Sequence, residues 1–185
     1  MVMQSSRYAL VAYVNDPVAD FIKKIRRELH PDLPHLAAHL TVVPPRGLPE
    51  GEEAAIAAVS EVCRHVEPFE MRLGEVETFI PVTPTVFIRV VHAYRLRELH
   101  DQLGAKKALA LEEEWPYLPH LTIVKMSTEA QAQEAYRLAG HRWAEYEGSR
   151  CIQVKELTFV REREDASWVD VATVPLGGMA SPHTL

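Results

Sequence analysis

Hydrophobic and polar positions along the chain divide it into short strands and amphipathic helices. An apolar run from Tyr8 to Val14 predicts a buried strand. From Pro17 to Leu29, apolar side chains recur at the spacing of one buried helix face. Lys23, Lys24, Arg26 and Arg27 lie largely off that face, which predicts a solvated surface, with RNA contact as the alternative. Further predicted helices are Pro49–Val66, Ala93–Leu103 and Thr128–Tyr146, and further predicted strands are His39–Val42, Phe69–Val76, Thr85–Val91, His120–Ile123, Ile152–Arg161 and Ser167–Val174. Thr128 and Gln131 have the spacing of a capping box at the start of the last helix.

Two of these predicted strands carry almost the same tetrapeptide, one in each half of the chain. His39–Val42 has the sequence HLTV, and His120–Ile123 has the sequence HLTI. Side chains alternate between the two faces of a strand, so each segment presents its histidine and threonine on one face and its aliphatic residues on the other. Two such strands lining one cleft would supply the arrangement that a two-histidine acid–base phosphoryl-transfer site requires.

The distribution of elements predicts an α+β fold of two similar lobes. Each half has strands, helices and one motif strand, so we expect antiparallel sheets related by an approximate twofold around a central cleft. We predict a single domain over residues 1–185. Its lobes would comprise about residues 1–91 and 92–178, followed by a tail at 179–185.

Composition limits the classes of partner. The formal net charge is −6, which argues against a broad basic surface for long nucleic acids, whose affinity comes largely from phosphate neutralisation. No apolar run is long enough to span a bilayer. Cys63 and Cys151 are expected to be free thiols, as in a reducing compartment. We therefore expect a cytoplasmic monomer that contacts no membrane and carries neither metal nor cofactor.

The paired motifs and their flanks give the chain a family resemblance. The segments AAHLTVVPP and YLPHLTIVK, together with the closing ELTFVREREDASWVDVATVPLG, resemble the 2H phosphoesterase superfamily of the 2'-5' RNA ligase and RNA 2',3'-cyclic phosphodiesterase type. The resemblance covers about Tyr8 to Gly177. It implies hydrolysis of 2',3'-cyclic phosphates on RNA ends or small nucleotides to a 2'-phosphate, and 2'-5' RNA ligation is also known in the family. A small ADP-ribose cyclic phosphate is a further substrate that the resemblance allows.

The chemistry assigns a role to each motif side chain. Histidine suits proton transfer because its ordinary pKa lies near neutrality, so His39 and His120 are the predicted catalytic acid and base, in either order. Thr41 and Thr122 are predicted to bind the phosphoryl oxygens. Arg46 and Tyr117 are candidate substrate-binding residues. We assign no role to the other histidines, which are His30, His35, His65, His92, His100, His141 and His183.

Two other functions compete with this interpretation. A non-catalytic RNA- or nucleotide-binding module could use the same fold, although the intact histidines and threonines argue against it. A hydrolase with Cys63 or Cys151 as nucleophile is also conceivable, but no base motif adjoins either thiol.

Overall fold

The computed structural model describes residues 6–15, 17–31, 37–110 and 112–177. The predicted tail at 179–185, and also His35 and His183, lie outside these ranges. Within them the fold is α+β, as predicted, with four α-helices and eight strands. The elements in chain order are β1 (Tyr8–Tyr13), α1 (Val18–Leu29), β2 (His39–Arg46), α2 (Glu52–Arg64), β3 (Phe69–Thr78), β4 (Thr85–Val91), α3 (Tyr94–Gly104), β5 (His120–Lys125), α4 (Glu129–Glu145), β6 (Cys151–Val154), β7 (Glu156–Glu162) and β8 (Trp168–Pro175).

All eight strands join in one antiparallel sheet, with the order β6-β3-β4-β5-β2-β1-β7-β8. The two motif strands, β2 and β5, are neighbours at its centre. Outward from this pair, β1 corresponds to β4, β7 to β3 and β8 to β6, which gives the approximate twofold. Because β3 and β4 lie on the β5 side while β7 and β8 lie on the β2 side, the two half-sheets do not follow the predicted lobe boundary near residue 91.

The predicted strand Ile152–Arg161 is in fact two strands. It is divided at Lys155 into β6 and β7, which stand six places apart in the sheet. In a flat sheet six places would span about 29 Å, at ~4.8 Å per strand, whereas one linking residue spans only ~3.5 Å. The sheet is therefore strongly curled, and the β6–β7 segment passes directly from one half to the other.

The helices cover one face of the sheet and bury the aliphatic side of both motifs. Helix α1 packs on β5, and helix α3 packs on β2. Leu40, Val42, Leu121 and Ile123 are completely buried there, which fixes which way the alternate residues of each motif point. Helix α4 begins at the predicted capping box, in which Thr128 and Gln131 exchange side-chain and backbone hydrogen bonds.

Candidate active site

The pairing of β2 with β5 brings both motifs together. Leu40 lies opposite Leu121 in an antiparallel register. In that register His39 lies across from Thr122, and Thr41 lies across from His120. These four residues, called the motif cluster below, are all half-buried on the sheet face opposite the helices. Each threonine therefore faces the histidine of the other motif, which the sequence alone did not indicate.

The two histidine rings are oriented in the same way. Nδ1 of His39 lies 2.8 Å from the carbonyl oxygen of Ala37, and Nδ1 of His120 lies 2.6 Å from that of Leu118. A carbonyl oxygen can only accept, so each Nδ1 carries the hydrogen. Each neutral ring therefore keeps an unprotonated Nε2 that is available to accept or transfer a proton.

Burial lowers the pKa of both histidines below the ordinary value. For His39, the hydrogen bond to Ala37 opposes this effect, while the positive charge of Arg26 lowers its pKa further. For His120, the bond to Leu118 opposes it, and a positive charge on His39 lowers its pKa further. Protonation of one histidine therefore disfavours protonation of the other, and the singly protonated pair is the state that an acid–base site requires.

Different aromatic residues surround the two histidines. The His120 ring meets Phe79 and Phe87 edge-on, with centroid distances of 4.9 Å and 5.2 Å. The His39 ring meets Tyr13 in this way, at 6.5 Å, and the Tyr13 hydroxyl donates to Asp170 over 2.5 Å. Phe79 also stacks on Phe87, so it packs against the sheet and at the same time borders the site.

A groove of about 1020 Å³ opens beside Thr41 and His120. We call it the apolar groove because side chains of Phe79, Val82 and Trp115 contribute to its walls, and Val82 and Trp115 are each 62% exposed. Its rim carries the acidic run Glu112–Glu114. The groove is thus mainly apolar, with negative charge along its acidic run.

Arg46 lies at this groove but is only 4% exposed. Its Nε donates to the Pro44 carbonyl over 3.0 Å, its Nη1 to the Leu109 carbonyl over 2.9 Å, and its Nη2 to the Glu113 carboxylate over 2.8 Å. All three nitrogens are thus engaged by the protein. The structure thus places the Arg46 guanidinium in a buried hydrogen-bond network at the groove.

Tyr117 also borders the groove, but its hydroxyl is committed to β2. It donates to the Thr41 carbonyl over 2.7 Å, and burial raises the Tyr117 pKa, which keeps the hydroxyl protonated. One face of the Tyr117 ring stacks on His100, with centroids 3.8 Å apart and planes within 7°. Stacking on a substrate is therefore left to the other face of the ring.

Two residues that sequence reasoning did not select reach the motif strands from the helices. Arg26, which the hydrophobic pattern placed off the buried stripe, donates to the Thr122 and Ile123 carbonyls over 2.8 Å and 2.6 Å. His100, assigned no role, is 7% exposed, and its Nδ1 lies 2.6 Å from the Val42 carbonyl. Both contacts join residues distant in sequence, so no local pattern could have identified them.

The cysteines lie apart from the motif cluster. Cys63 is buried in α2, and burial raises its pKa to about 12, which leaves it a protonated thiol without nucleophilic character. Cys151 is exposed at the start of β6. Among the residues described, no three His, Cys, Asp or Glu side chains lie together as metal ligands would, and no helix is long and apolar enough to cross a bilayer.

The fold is α+β, and the two central strands of its antiparallel sheet each carry a histidine–threonine pair. This arrangement agrees with the 2H phosphoesterase class. Residues 14–166 match the family model described as the 2'-5' RNA ligase superfamily. Since this is most of the chain, the protein belongs to that family.

Relatives and solved structures agree with this assignment. The putative phosphoesterase BH1439 of Halalkalibacterium halodurans is 29% identical over 117 residues, which cover 63% of this chain and 68% of that protein. Two crystal structures, TT0787 of Thermus thermophilus and E. coli LigT complexed with NADP+, each cover 94% of this chain and 99% of their own. Each has a TM-score of 0.66 at 15% identity, a likeness that concerns the fold.

Proposed function

We propose that this protein is a phosphoester hydrolase that opens 2',3'-cyclic phosphates on RNA ends or small nucleotides without a metal ion. The observation that carries the proposal is the motif cluster: the Leu40–Leu121 register gathers His39, Thr41, His120 and Thr122 on one face. The names of the relatives, which are putative phosphoesterases, and the family of the chain support the same class of reaction.

In the proposed reaction, Nε2 of one histidine takes a proton from water as the water oxygen bonds to phosphorus. The bond from phosphorus to the ribose 3'-oxygen breaks, and the other histidine gives that oxygen its proton, so the product is a 2'-phosphate. The two histidines are diagonal neighbours across the β2–β5 pair, which corresponds to roughly 7–8 Å between the strand positions. This spacing leaves room for one phosphate between the rings.

One histidine of the pair acts as the base and the other as the acid, in either order. A base must be neutral before the reaction, and burial disfavours the charged form of both rings; the charge of Arg26 adds to this at His39, and a charge on His39 adds to it at His120. Each proton transfer is expected to contribute about 10²–10⁴-fold to the rate.

Thr41 and Thr122 would donate their hydroxyls to the two non-bridging phosphoryl oxygens, on which charge accumulates in the transition state. In the observed register each threonine lies beside the histidine of the other motif. The oxygens would therefore be held on both sides of the line that joins the attacking water to the leaving oxygen.

The apolar groove would receive the nucleobase next to the phosphate. Base stacking on aromatic side chains is worth about 1–3 kcal/mol, and Phe79 together with the outer face of Tyr117 offers such surfaces. The acidic run Glu112–Glu114 and the net charge of −6 disfavour long polyanions. Short RNA ends and mononucleotides are the preferred substrates under this proposal, and 2'-5' ligation would run related chemistry in the reverse sense.

The test is turnover of a 2',3'-cyclic mononucleotide and of a short RNA with a cyclic-phosphate end, both in EDTA. Wild type is compared with His39→Ala and His120→Ala, and with His141→Ala as a control at an exposed site on α4. Turnover in EDTA that each site variant loses and the control keeps supports the proposal. A folded wild type that binds the nucleotide without turnover would instead identify a binding module.

A further inference from the structure

Both motif strands contain the same irregularity. Between β1 and β2, Leu10 pairs with Val43 and Val11 with Thr41, so Val42 is an extra residue. Between β4 and β5, Val86 pairs with Val124 and Phe87 with Thr122, so Ile123 is the extra residue. The fourth position of each motif is therefore a β-bulge. A bulge leaves its extra residue outside the ladder and changes the direction of the neighbouring side chains.

Side chains from outside the two strands satisfy the carbonyl groups at each bulge. In the second motif, Arg26 of α1 donates Nη2 to the Thr122 carbonyl and Nε to the Ile123 carbonyl, over 2.8 Å and 2.6 Å. In the first motif, the Tyr117 hydroxyl donates to the Thr41 carbonyl over 2.7 Å, and His100 Nδ1 to the Val42 carbonyl over 2.6 Å. The same two positions of each motif are bonded in both halves.

The Arg26 guanidinium in one half and the stacked His100 and Tyr117 rings in the other therefore both donate hydrogen bonds to the bulge carbonyls. The His100 and Tyr117 rings are nearly parallel at 3.8 Å, and together they present two donors from a rigid unit, as the planar fork of Arg26 does. A buried backbone carbonyl without a partner is costly. Without these donors, the carbonyl groups at each bulge would lose their hydrogen bonds, and a different strand pairing would be favoured there. The changed pairing would turn the neighbouring threonine away from its present direction.

The His100 ring is held in place from its other side as well. Its Nε2 lies 3.1 Å from the Glu113 carboxylate, which also accepts from Arg46. Arg97 of α3 donates to the Tyr117 carbonyl over 2.9 Å. Since a carbonyl and a carboxylate both only accept, the two bonds of His100 are made together when both of its ring nitrogens carry hydrogen.

We propose that Arg26 and the His100–Tyr117 pair are positioning residues that maintain the two bulges and thereby aim Thr41 and Thr122 at the phosphate. The effect on catalysis rests on the proposed function. The effect on the strand pairing can be measured without turnover. Arg26 acts on the second motif, and His100 and Tyr117 act on the first, so each bulge can be altered without the other.

The experiment compares Arg26→Met and Tyr117→Phe with wild type. Tyr117→Phe keeps the ring and its stacking surface and removes only the hydroxyl. Cross-strand amide contacts measured by NMR report the pairing of Val11 with Thr41 and of Phe87 with Thr122. We expect Arg26→Met to change the second pairing alone and Tyr117→Phe to change the first alone.

Turnover of the cyclic mononucleotide is then measured on the same variants. Misplacement by about 1 Å can cost on the order of 10²-fold in rate, so we expect kcat to fall by about 10–10²-fold in Arg26→Met and less in Tyr117→Phe, with KM little changed. Arg26→Lys keeps the charge but not the two-pronged fork, and it serves as the second variant if Arg26→Met does not fold. Its kcat should fall between that of Arg26→Met and wild type.

The controls are Arg27→Met, an exposed neighbour on α1, and Tyr136→Phe, an exposed tyrosine on α4; both should leave pairing and kcat unchanged. Folded variants that keep both bulges, or that lose a bulge while kcat stays at the wild-type value, would overturn the inference. A lower kcat with intact bulges would also overturn it, because the side chains would then act directly. Absence of turnover in wild type would count against the proposed function only, since the pairing measurement still decides the geometric claim.

Discussion

The two motif halves of the site have the same backbone but different supporting side chains. In each half a histidine is held through Nδ1 by the carbonyl two residues before it, and a bulge follows at the fourth motif position. The bulge carbonyls are bonded by Arg26 in the second half and by His100 and Tyr117 in the first. The duplicated feature is therefore a backbone geometry, which unrelated side chains can maintain.

The two histidines also have different surroundings. The charge of Arg26 acts on His39, whereas His120 lies against the stacked rings of Phe79 and Phe87 and lines the apolar groove. The two histidines therefore have unequal surroundings, with a positive charge near His39 and aromatic rings against His120. The two halves should therefore respond equally to some substitutions and unequally to others.

The largest expected effects come from the histidines, in which the halves should be equal. His39→Ala and His120→Ala should each lower kcat by about 10²–10⁴-fold, because each removes one proton transfer from the same step. The double variant should cost much less than the product of the two single losses, since residues that act as a unit are not additive. Steady-state kinetics on the cyclic mononucleotide checks this. A full product of losses would indicate two independent roles.

Substitution of either motif threonine should lower kcat by a similar amount, and by less than substitution of a histidine. Thr41→Val and Thr122→Val keep the branched shape and remove one hydroxyl donor each, and loss of one such donor costs about 10²-fold in kcat. The measurement is kcat and KM for each variant, with Thr173→Val at an exposed position of β8 as the control. A loss confined to one threonine would show that only one half binds the phosphoryl oxygens.

Arg46 ends the first motif strand, β2. Its substitution should lower the free energy of unfolding. Arg46→Met would leave the Pro44 and Leu109 carbonyls without the hydrogen bonds from Arg46, at a cost of roughly 1–3 kcal/mol in the free energy of unfolding. Urea unfolding measures that cost, and KM should stay near the wild-type value. A large rise in KM with unchanged stability would instead support the sequence-based prediction that Arg46 binds substrate.

The smallest effect concerns the helices that follow the two motifs. Helix α4 begins with the capping box of Thr128, whereas α2 begins at Gly51, which has no side chain to cap it. Thr128→Ala should therefore destabilise the protein by about 1 kcal/mol, which is a fall of roughly 2–4 °C in Tm for a chain of this size. Calorimetry checks the value, and kcat/KM should not change. A fall in activity would mean that α4 influences the site.

Much of this architecture could be predicted from local patterns. Period-two and helical spacing gave the elements, and the repeated HLTV and HLTI segments gave the residues of the motif cluster, because alternation along a strand is a local property. The capping box at Thr128 was likewise visible as Thr-x-x-Gln.

The rest depends on contacts between distant parts of the chain. Arg26 bonds to residues 96 and 97 positions away, and His100 to one 58 positions away, so the hydrophobic pattern assigned the first to solvent and gave the second no role. The division of the closing strand at Lys155 depends on the curl of the whole sheet. Arg46 bonds to Leu109 and Glu113, which are 63 and 67 positions away, so its buried network could not be predicted from a local pattern.

The central claim is that His39 and His120 act as base and acid in one site, and the pH dependence of kcat/KM in EDTA tests it most directly. A base must be neutral, so the rate falls as the pH drops below the pKa of the histidine that acts as base. An acid must be protonated, so the rate falls as the pH rises above the pKa of the histidine that acts as acid. Since burial lowers both pKa values, the bell-shaped profile should have its maximum below about pH 6.5. His39→Ala and His120→Ala should each lose one limb of the profile, and the two variants should lose opposite limbs. A profile that keeps both limbs in either variant, or activity that disappears in EDTA, would contradict the account.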